Sequence, residues 1–300
     1  MKELVVISGK GGTGKTSVVA CLAALESGAV LADCDVDAAD LHLALEPQIK
    51  RREDFSGGKQ ARVDPDLCTS CGRCLEVCRF GAVIAPGEPG GAFSIDPILC
   101  EGCGVCHYFC EFGAIPFEEQ VNGEWYISDT RHGPMAHARL GVAEENSGKL
   151  VSVVRREARR IAEEQGRELI IVDGSPGIGC PVIASITGAD MALIVTEPTL
   201  SGEHDLGRVA ALARHFEIPA AVCVNKADIN PEITERIRAR SQENGLLFAG
   251  TILYDTGFTR AQLQARSLVE IEGGSPAAAA VRGIWSAVRA RLFDAGNPTQ

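Results

Sequence analysis

A pattern of four cysteines occurs twice in this 300-residue chain, and the second copy lies thirty-two residues after the first. In each copy the spacing is Cys-x2-Cys-x2-Cys-x3-Cys, beginning at Cys68 and again at Cys100. The similarity extends past the cysteines, because Phe80–Val83 and Phe112–Ile115 keep the same offset. The repeat therefore predicts a small domain built from two similar halves.

Thiolates at positions i, i+3 and i+6 suit one face of a cubane iron–sulfur cluster, and in this spacing the fourth cysteine ligates the other cluster. The predicted ligands of one [4Fe–4S] cluster are Cys68, Cys71, Cys74 and Cys110, and those of the second are Cys100, Cys103, Cys106 and Cys78. A zinc site needs ligands in two pairs, which this arrangement fits poorly. Disulfides are not expected, because the N-terminus shows no signal-peptide pattern.

On these cysteines and the repeated Phe-Gly-Ala segment, residues 58–130 resemble the bacterial two-cluster ferredoxin family. The resemblance implies low-potential one-electron transfer. One departure is that Arg79 and Glu111 stand where such ferredoxins usually have proline. This departure bears on local cluster geometry and potential but not on ligation.

A second motif follows the first apolar run of the chain. Leu4–Ile7 is typical of a buried strand, and it leads into Gly-Lys-Gly-Gly-Thr-Gly-Lys-Thr, a P-loop. In such a loop backbone N–H groups point at phosphate oxygens, the second lysine reaches the β- and γ-phosphates, and the last hydroxyl binds Mg²⁺. The residues predicted to hold the nucleotide are Gly9, Lys10, Gly11, Gly12, Thr13, Gly14, Lys15, Thr16 and Ser17.

Lys10, directly after the first glycine, marks the deviant Walker A form of this loop. On this motif the chain resembles the MinD, ParA and nitrogenase iron protein group of ATPases. The resemblance implies an α/β fold with a doubly wound, mostly parallel sheet, and a dimer, with itself or with a related ATPase, that encloses two ATP molecules. It also implies that Lys10 reaches the partner's nucleotide, where a cation offsets charge that develops in phosphoryl transfer.

Acidic residues follow two further apolar runs. Asp35 follows a predicted strand at 29–32, and by the same resemblance it is the switch I aspartate that positions or activates the attacking water. Asp173 follows Leu169–Val172 and is similar to a Walker B aspartate. The predicted magnesium ligands are Thr16, Asp35 and Asp173, and the predicted catalytic residues are Lys10, Lys15 and Asp35.

Another apolar run, Ala220–Val224, ends at Asn225-Lys226-Ala227-Asp228. An Asn-Lys-x-Asp sequence reads guanine in the regulatory GTPases, whereas in the MinD-like group the asparagine at this place reads adenine. Because Lys10 belongs to the MinD-like pattern, ATP is the expected nucleotide, and Asn225 is expected to contact its base.

The charge balance limits the expected partners. Residues 58–130 contain eleven Asp or Glu and four Lys or Arg, so their balance of −7 is most of the chain's −11. Such an acidic surface argues against nucleic acid and for a protein with a basic docking patch. Membrane binding is not expected, since the apolar residues of a predicted last helix at 278–292 have the spacing of core residues. Twelve cysteines without a targeting sequence indicate a cytoplasmic protein.

The order of the motifs predicts two domains. Residues 1–57 and 131–300 form a MinD-like ATPase domain, and 58–130 form a ferredoxin-like domain that Ser56-Gly57-Gly58 is expected to open. Cys180 is expected to be a small buried residue, with a redox role as the alternative.

With both motifs, the chain is identified as a member of the MinD-type ATPases that carry a ferredoxin insertion. Membership implies ATP hydrolysis. The interpretation is that ATP closes a dimer, hydrolysis reopens it, and the clusters pass electrons to a redox or cofactor-assembly partner protein. Two alternatives stay open: a carrier or assembly ATPase for iron–sulfur or other metal cofactors, and a redox-sensing positioning ATPase of the ParA type.

Overall fold

The computed structural model describes residues 1–141 and 147–294, and the chain forms two compact units. Unit 1 contains residues 1–53, 125–139 and the chain from Ser147 onward. Unit 2 contains residues 54–124 and a segment that starts at Leu140. Three of the crossings between the units, after Glu53, Glu124 and Arg139, lie within strands.

The strands are β1 (Lys2–Ser8), β2 (Val30–Asp33), β3 (Gln48–Ala61), β4 (Val83–Ile84), β5 (Ser94–Ile95), β6 (Phe117–Asp129), β7 (Pro134–Leu140), β8 (Leu169–Pro176), β9 (Met191–Thr196), β10 (Ala220–Asn225) and β11 (Leu247–Ile252). The helices are α1 (Lys15–Leu25), α2 (Leu41–Leu45), α3 (Arg73–Val77), α4 (Val105–Tyr108), α5 (Ser147–Gln165), α6 (Cys180–Ile186), α7 (Leu200–His215), α8 (Pro231–Glu243), α9 (Gly257–Leu263), α10 (Leu268–Ile271) and α11 (Pro276–Asp294).

Within the described residues a nine-stranded sheet has the order β11-β10-β9-β1-β8-β2-β7-β6-β3. Strand β1 pairs in parallel with β8 and β9, and β2 pairs in parallel with β8 and β7. The predicted α/β fold with a mostly parallel sheet is thus confirmed. Because β1, β8 and β2 are neighbours, the loops at their carboxyl ends meet at one edge, where such sheets bind ligands.

The core of unit 1 follows from strands that are apolar on both faces. Leu4–Ile7 are fully buried, as expected for a parallel strand covered by helices on both sides. Helix α1 packs close to β1 and β8 through small and aliphatic residues. The apolar stripe of α11, which includes Val281, Trp285 and Val288, is buried in the same core, so its helical spacing marks core packing.

Unit 2 has two halves with matching backbone geometry. Gly72 and Gly104, at the start of α3 and α4, both adopt left-handed conformations with φ of 77° and 73°. The halves also exchange hydrogen bonds: the Asp64 N–H donates to Ala114 O and the equivalent N–H of Asp96 donates to Ala82 O, both at 2.8 Å. The thirty-two-residue repeat is therefore a structural repeat with each half paired to the other.

The expected opening of the insert, Ser56-Gly57-Gly58, lies inside strand β3 rather than in a loop. The Gly57 N–H donates to Asn122 Oδ1 at 2.9 Å, and β6 is the neighbour of β3 in the sheet. A long-range partner for the backbone thus overrides the local turn tendency of Ser-Gly-Gly.

Candidate functional site

The P-loop connects β1 to α1 and lines an open cleft with about 1050 Å³ of empty space. Gly14 caps α1 in a left-handed conformation, with φ of 88°. A Cβ atom there would lie 2.4 Å from Asn225 Nδ2, so only glycine fits. The predicted nucleotide residues from Gly11 to Ser17 all line this cleft, and the first turn of α1 directs its N–H groups toward it.

Lys15 lies at the centre of a buried charged group. Its Nζ is 2.5 Å from Asp173 Oδ1 and 3.3 Å from Asp35 Oδ2, and its side chain is 6% exposed. Burial lowers the pKa of Lys15, but the attraction of Asp173 and Asp35 outweighs it and the pKa is raised. The lysine is therefore charged, and it compensates three carboxylates, those of Asp33 and Asp35 at the end of β2 and that of Asp173 in β8.

The carboxylates have pKa values far from those of exposed groups. Burial raises the pKa of Asp35 to about 6, against the opposing effect of Lys15. Burial also raises the pKa of Asp33 well above its usual value, and the nearby charge of Asp173 adds to this. Asp33 has a positioning role that the sequence did not reveal, because its carboxylate accepts from the N–H groups of Asp35 (3.1 Å) and Leu41 (3.2 Å).

The oxygen atoms around Lys15 suit a magnesium ion. Asp173 Oδ2 is fully buried and has no hydrogen-bond partner among the described residues. Thr16 Oγ1 lies 3.4 Å from Lys15 Nζ, so the hydroxyl and two carboxylates of the predicted set surround one ammonium group. Hard oxygen donors with an uncompensated buried carboxylate oxygen fit Mg²⁺ chemically. The buried, unpartnered Thr13 Oγ1 adds a hydroxyl close to the phosphate-binding loop.

Lys10 contacts its own chain. Its Nζ lies 3.4 Å from Oε2 of Glu197, which follows β9, and 3.3 Å from Oγ of Ser201 in the first turn of α7. The other carboxylate oxygen of Glu197 pairs with Lys226, whose Nζ also donates to Gly12 O at 3.3 Å. Glu197 therefore links the P-loop to the loops after β9 and β10.

Asn225 is hydrogen-bonded to the backbone of the P-loop. Its Nδ2 donates to Thr13 O at 2.8 Å, and its Oδ1 accepts from the Lys226 N–H at 3.0 Å. The side chain is buried, and one amide hydrogen remains for a further acceptor. Its contact with a base stays a prediction.

One wall of the cleft consists of residues that the sequence analysis did not predict. It is formed by α9 and the start of α10, through Phe258, Gln262, Arg266 and Ser267. No motif marks these residues. The only available signal was their place after β11, because ligands in such folds bind beyond the carboxyl ends of strands.

One group of four cysteines in unit 2 matches the sequence pattern. Cys68, Cys71 and Cys74 line one cavity together with Cys110, which comes from the other half of the repeat. Burial raises the pKa of the Cys74 thiol, and the neighbouring Cys68 and Cys71 act in the same direction. Apolar side chains, including Phe93 and Phe112, complete the cavity wall.

In the second group, burial raises the pKa of Cys106 and the nearby Cys100 and Cys103 add to the effect. Burial also acts on Cys78, but backbone N–H groups of residues 80–83 outweigh it and lower the pKa of this thiol. Amide groups directed at a sulfur favour the thiolate, which is the form that ligates metal.

Across residues 1–141 and 147–294, no three or more His, Cys, Asp or Glu side chains converge as ligands of a single metal ion. A cubane cluster differs from a single ion, because each thiolate binds a separate iron and the sulfurs surround a space. The cavity shared by Cys68 and Cys110 has this character.

The expectation that Cys180 is buried is wrong. Its side chain is exposed at the first residue of α6, whose buried side is formed by Val182, Ser185 and Ile186. The spacing between Asp173 and Cys180 does not indicate which side of α6 is buried. The orientation of α6 in the fold decides that Cys180 is exposed.

Residues 4–268 match a family described as the CobQ/CobB/MinD/ParA nucleotide binding domain. The uncharacterized protein MJ0578 of Methanocaldococcus jannaschii is 37% identical over 232 residues, which cover 76% of this chain and 79% of that protein. A second uncharacterized protein of this organism, MJ0579, is 28% identical over 240 residues, covering 77% and 83%.

The fold is similar to that of the septum site-determining protein MinD of Pyrococcus horikoshii complexed with Mg-ADP. The TM-score is 0.58 at 14% identity, with 98% of this chain and 97% of that chain covered. A chain of the MinC:MinD cell division protein complex of Aquifex aeolicus gives a TM-score of 0.56 at 18% identity, covering 100% and 99%.

No helix in the described ranges is both long enough and apolar enough to cross a membrane. The family match and the MJ0578 relative extend over most of the sequence, and the P-loop occupies its expected place after β1. The chain therefore belongs to the CobQ/CobB/MinD/ParA family of P-loop nucleotide-binding proteins, whose MinD/ParA members are generally ATPases.

Proposed function

We propose that the protein binds and hydrolyses ATP and couples dimer closure to electron transfer through two [4Fe–4S] clusters toward a partner protein. The observation that carries the proposal is the cavity lined by Cys68, Cys71 and Cys74 from one half of the repeat and Cys110 from the other. This grouping matches the exchanged fourth ligand of two-cluster ferredoxins. The insert would comprise residues 58–130 and lie in a cytoplasmic protein.

The small core of unit 2 supports bound clusters. Within residues 54–124 the described buried apolar side chains are few and mostly small: Phe55, Ala61, Ala82, Val83, Ala114 and Ile115. A domain of this size with so small a core usually needs a metal, disulfides or another covalent staple. The described cysteines form no disulfides, so metal ligation by these thiols is the way in which the chain can stabilise unit 2.

Clusters held by these cysteines would supply one-electron transfer at low potential. The protein's part is to hold the thiolates and to tune them. The N–H groups of residues 80–83 that face Cys78 stabilise negative charge on its sulfur, and such hydrogen bonds shift a cluster's potential.

In the ATPase unit, five side chains have separate roles in binding or hydrolysing ATP. Lys15 binds the β- and γ-phosphates, and Thr16 and Asp173 hold the magnesium ion that the phosphates bring. When Lys15 turns to the phosphates, Asp35 loses its counter-ion and becomes the nearest base for an attacking water. Lys10 gives up its contact with Glu197 when it reaches the nucleotide of the partner in a dimer.

Anaerobic EPR of the dithionite-reduced protein, with iron counted per chain and measured with and without MgATP, tests the proposal. We expect about eight irons and two coupled [4Fe–4S]⁺ signals that change with nucleotide. Cys110→Ser should lower the iron content, and Cys180→Ser, which alters an exposed thiol outside both groups, is the matched control. Zinc or no metal after anaerobic preparation would refute the cluster assignment.

A carrier function is the second candidate, and one observation favours it. Cys71 and Cys103, which occupy the same position in the two halves, are the exposed members of their groups. An exposed thiolate gives an acceptor protein access to the cluster. Transfer of iron to an apo-ferredoxin in the presence of ATP would favour the carrier, whereas full retention of about eight irons would favour electron transfer.

A further inference from the structure

The turn between β6 and β7 carries Arg131, whose side chain joins three parts of unit 1. Its Nε and Nη2 donate to the two carboxylate oxygens of Glu270 in α10, at 2.7 and 2.9 Å. Nη2 also donates to the backbone oxygen of Ala44 in α2, at 2.8 Å. The ion pair is largely buried, with side-chain exposures of 21% for Arg131 and 17% for Glu270.

Glu270 is at the same time the anchor of the start of α10. It accepts from the Ser267 N–H at 2.7 Å and from Ser267 Oγ at 2.8 Å, which forms a capping box. Arg266 Nη1 lies 3.3 Å from its other oxygen. Glu270 thus holds Arg266 and Ser267, two of the three residues through which this segment lines the cleft.

Both elements that Arg131 joins line the nucleotide cleft. Ala44 lines the cleft at the end of α2, directly after the switch I segment. Arg266 and Ser267 line it at the start of α10. A change in the spacing of these walls must therefore break or reorient the bidentate contact of Arg131, whose planar fork tolerates little misalignment.

Arg131 also has a special place in the chain. It lies two residues after the end of β6, the strand that begins in unit 2 and ends in unit 1. The backbone of the turn is fixed as well, since the Gly28 N–H donates to His132 O at 2.7 Å and a Cβ at Gly133 would lie 2.3 Å from Ala29 O. The turn after Arg131 is therefore held against the residues that precede β2.

We propose that Arg131 is a positioning residue that couples nucleotide in the cleft to strand β6, and through that strand to the cysteine-bearing unit. This inference rests on the proposed ATPase function, and it adds the residue through which the nucleotide state leaves the cleft. A coupling of this kind is reciprocal, so the loss of Arg131 weakens nucleotide binding as well as the response of β6.

The test is hydrogen exchange of peptides from 117–129 in the anaerobically prepared full chain, without nucleotide and with MgADP or MgATP. The wild type should show a nucleotide-dependent change in protection, and Arg131→Gln should abolish it and raise the Kd for MgADP roughly 3- to 10-fold. Arg131→Lys should lose most of the change too, because lysine keeps the charge but not the fork.

Arg260→Gln is the matched control. Arg260 pairs with Glu272 in the same region through two nitrogens, at 2.9 and 2.7 Å, but this pair joins α9 to the end of α10 and does not involve α2. This variant should bind MgADP and respond like the wild type. If Arg131→Gln does not fold, Glu270→Gln removes the same contact from the other side.

Each other result has a distinct meaning. A normal β6 response in Arg131→Gln, or the same loss in Arg260→Gln, would overturn the coupling role. A wild type that binds MgATP without any change in β6 would overturn it too, while the ATPase function stands. A wild type that binds neither nucleotide would overturn the proposed function itself.

Discussion

Replacing Asp35 with asparagine should stabilise the nucleotide-free protein, and the gain should grow with pH. Burial raises the pKa of Asp35 to about 6 from a usual 3.8. Each pH unit of such a shift corresponds to about 1.4 kcal/mol, so ionising this carboxyl in the folded state costs about 3 kcal/mol more than in the unfolded chain. Asparagine keeps the shape of the protonated side chain without this cost.

The sign follows from proton linkage. The pKa of Asp35 is higher in the folded state than in the unfolded chain. The stability that its protonated carboxyl gives the wild type is therefore fully present below pH 3.8 and is lost as the pH rises through 6. The free energy of unfolding of Asp35→Asn should therefore exceed that of the wild type by about 1.5 kcal/mol at pH 5 and by about 3 kcal/mol at pH 7.5.

Urea unfolding at the two pH values, followed by tryptophan fluorescence, measures this difference. Both tryptophans, Trp125 and Trp285, belong to unit 1, so the signal reports the ATPase unit. Glu243→Gln, at the exposed end of α8, should show no pH-dependent gain. A gain of equal size at both pH values, or a loss of stability at pH 7.5, would mean that the Lys15 contact rather than burial controls Asp35.

Three further changes test other parts of the structure. Glu197→Gln should lower the ATP concentration needed for dimer formation about 2- to 30-fold, because each of two subunits no longer holds Lys10 in an ion pair worth about 0.2–1 kcal/mol. Light scattering at increasing MgATP concentrations measures the midpoint of dimer formation. An unchanged midpoint contradicts the prediction. Gly133→Ala should cost at least about 1 kcal/mol in urea unfolding, since its Cβ would lie 2.3 Å from Ala29 O. Gly207→Ala, which meets no atom within 4 Å in α7, should instead stabilise by roughly 0.5–1 kcal/mol. Anaerobic removal of iron with a chelator should make residues 54–124 sensitive to protease, while MgADP binding persists. The reason is that the small core of unit 2 cannot by itself offset the conformational entropy lost when this unit folds. Equal proteolysis of both units would argue against this.

The parallel sheet and the P-loop were predictable because their signals are local. Four consecutive apolar residues before a glycine-rich loop define a buried strand and the loop's position at its end, whatever the remaining chain does. The cysteine repeat is a local signal as well, and it places Gly72 and Gly104 at equivalent positions of the two halves. The strand through Ser56–Gly58 was not predictable from local signals, because Asn122, the partner of the Gly57 N–H, is distant in sequence.

The sequence by itself indicated the candidate residues, namely the P-loop, its acidic neighbours and the eight cysteines of the repeat, since short spacings set which side chains share a turn or a strand end. Only the tertiary structure decided their partners. Arg131 and Glu270 are 139 residues apart, and Lys10 meets Glu197 only because their strands, β1 and β9, are neighbours. Exposure of Cys180 and burial of Asp35 were likewise set by packing, because the free energy of a charge or a thiol depends on what surrounds it in space and not on its neighbours in sequence.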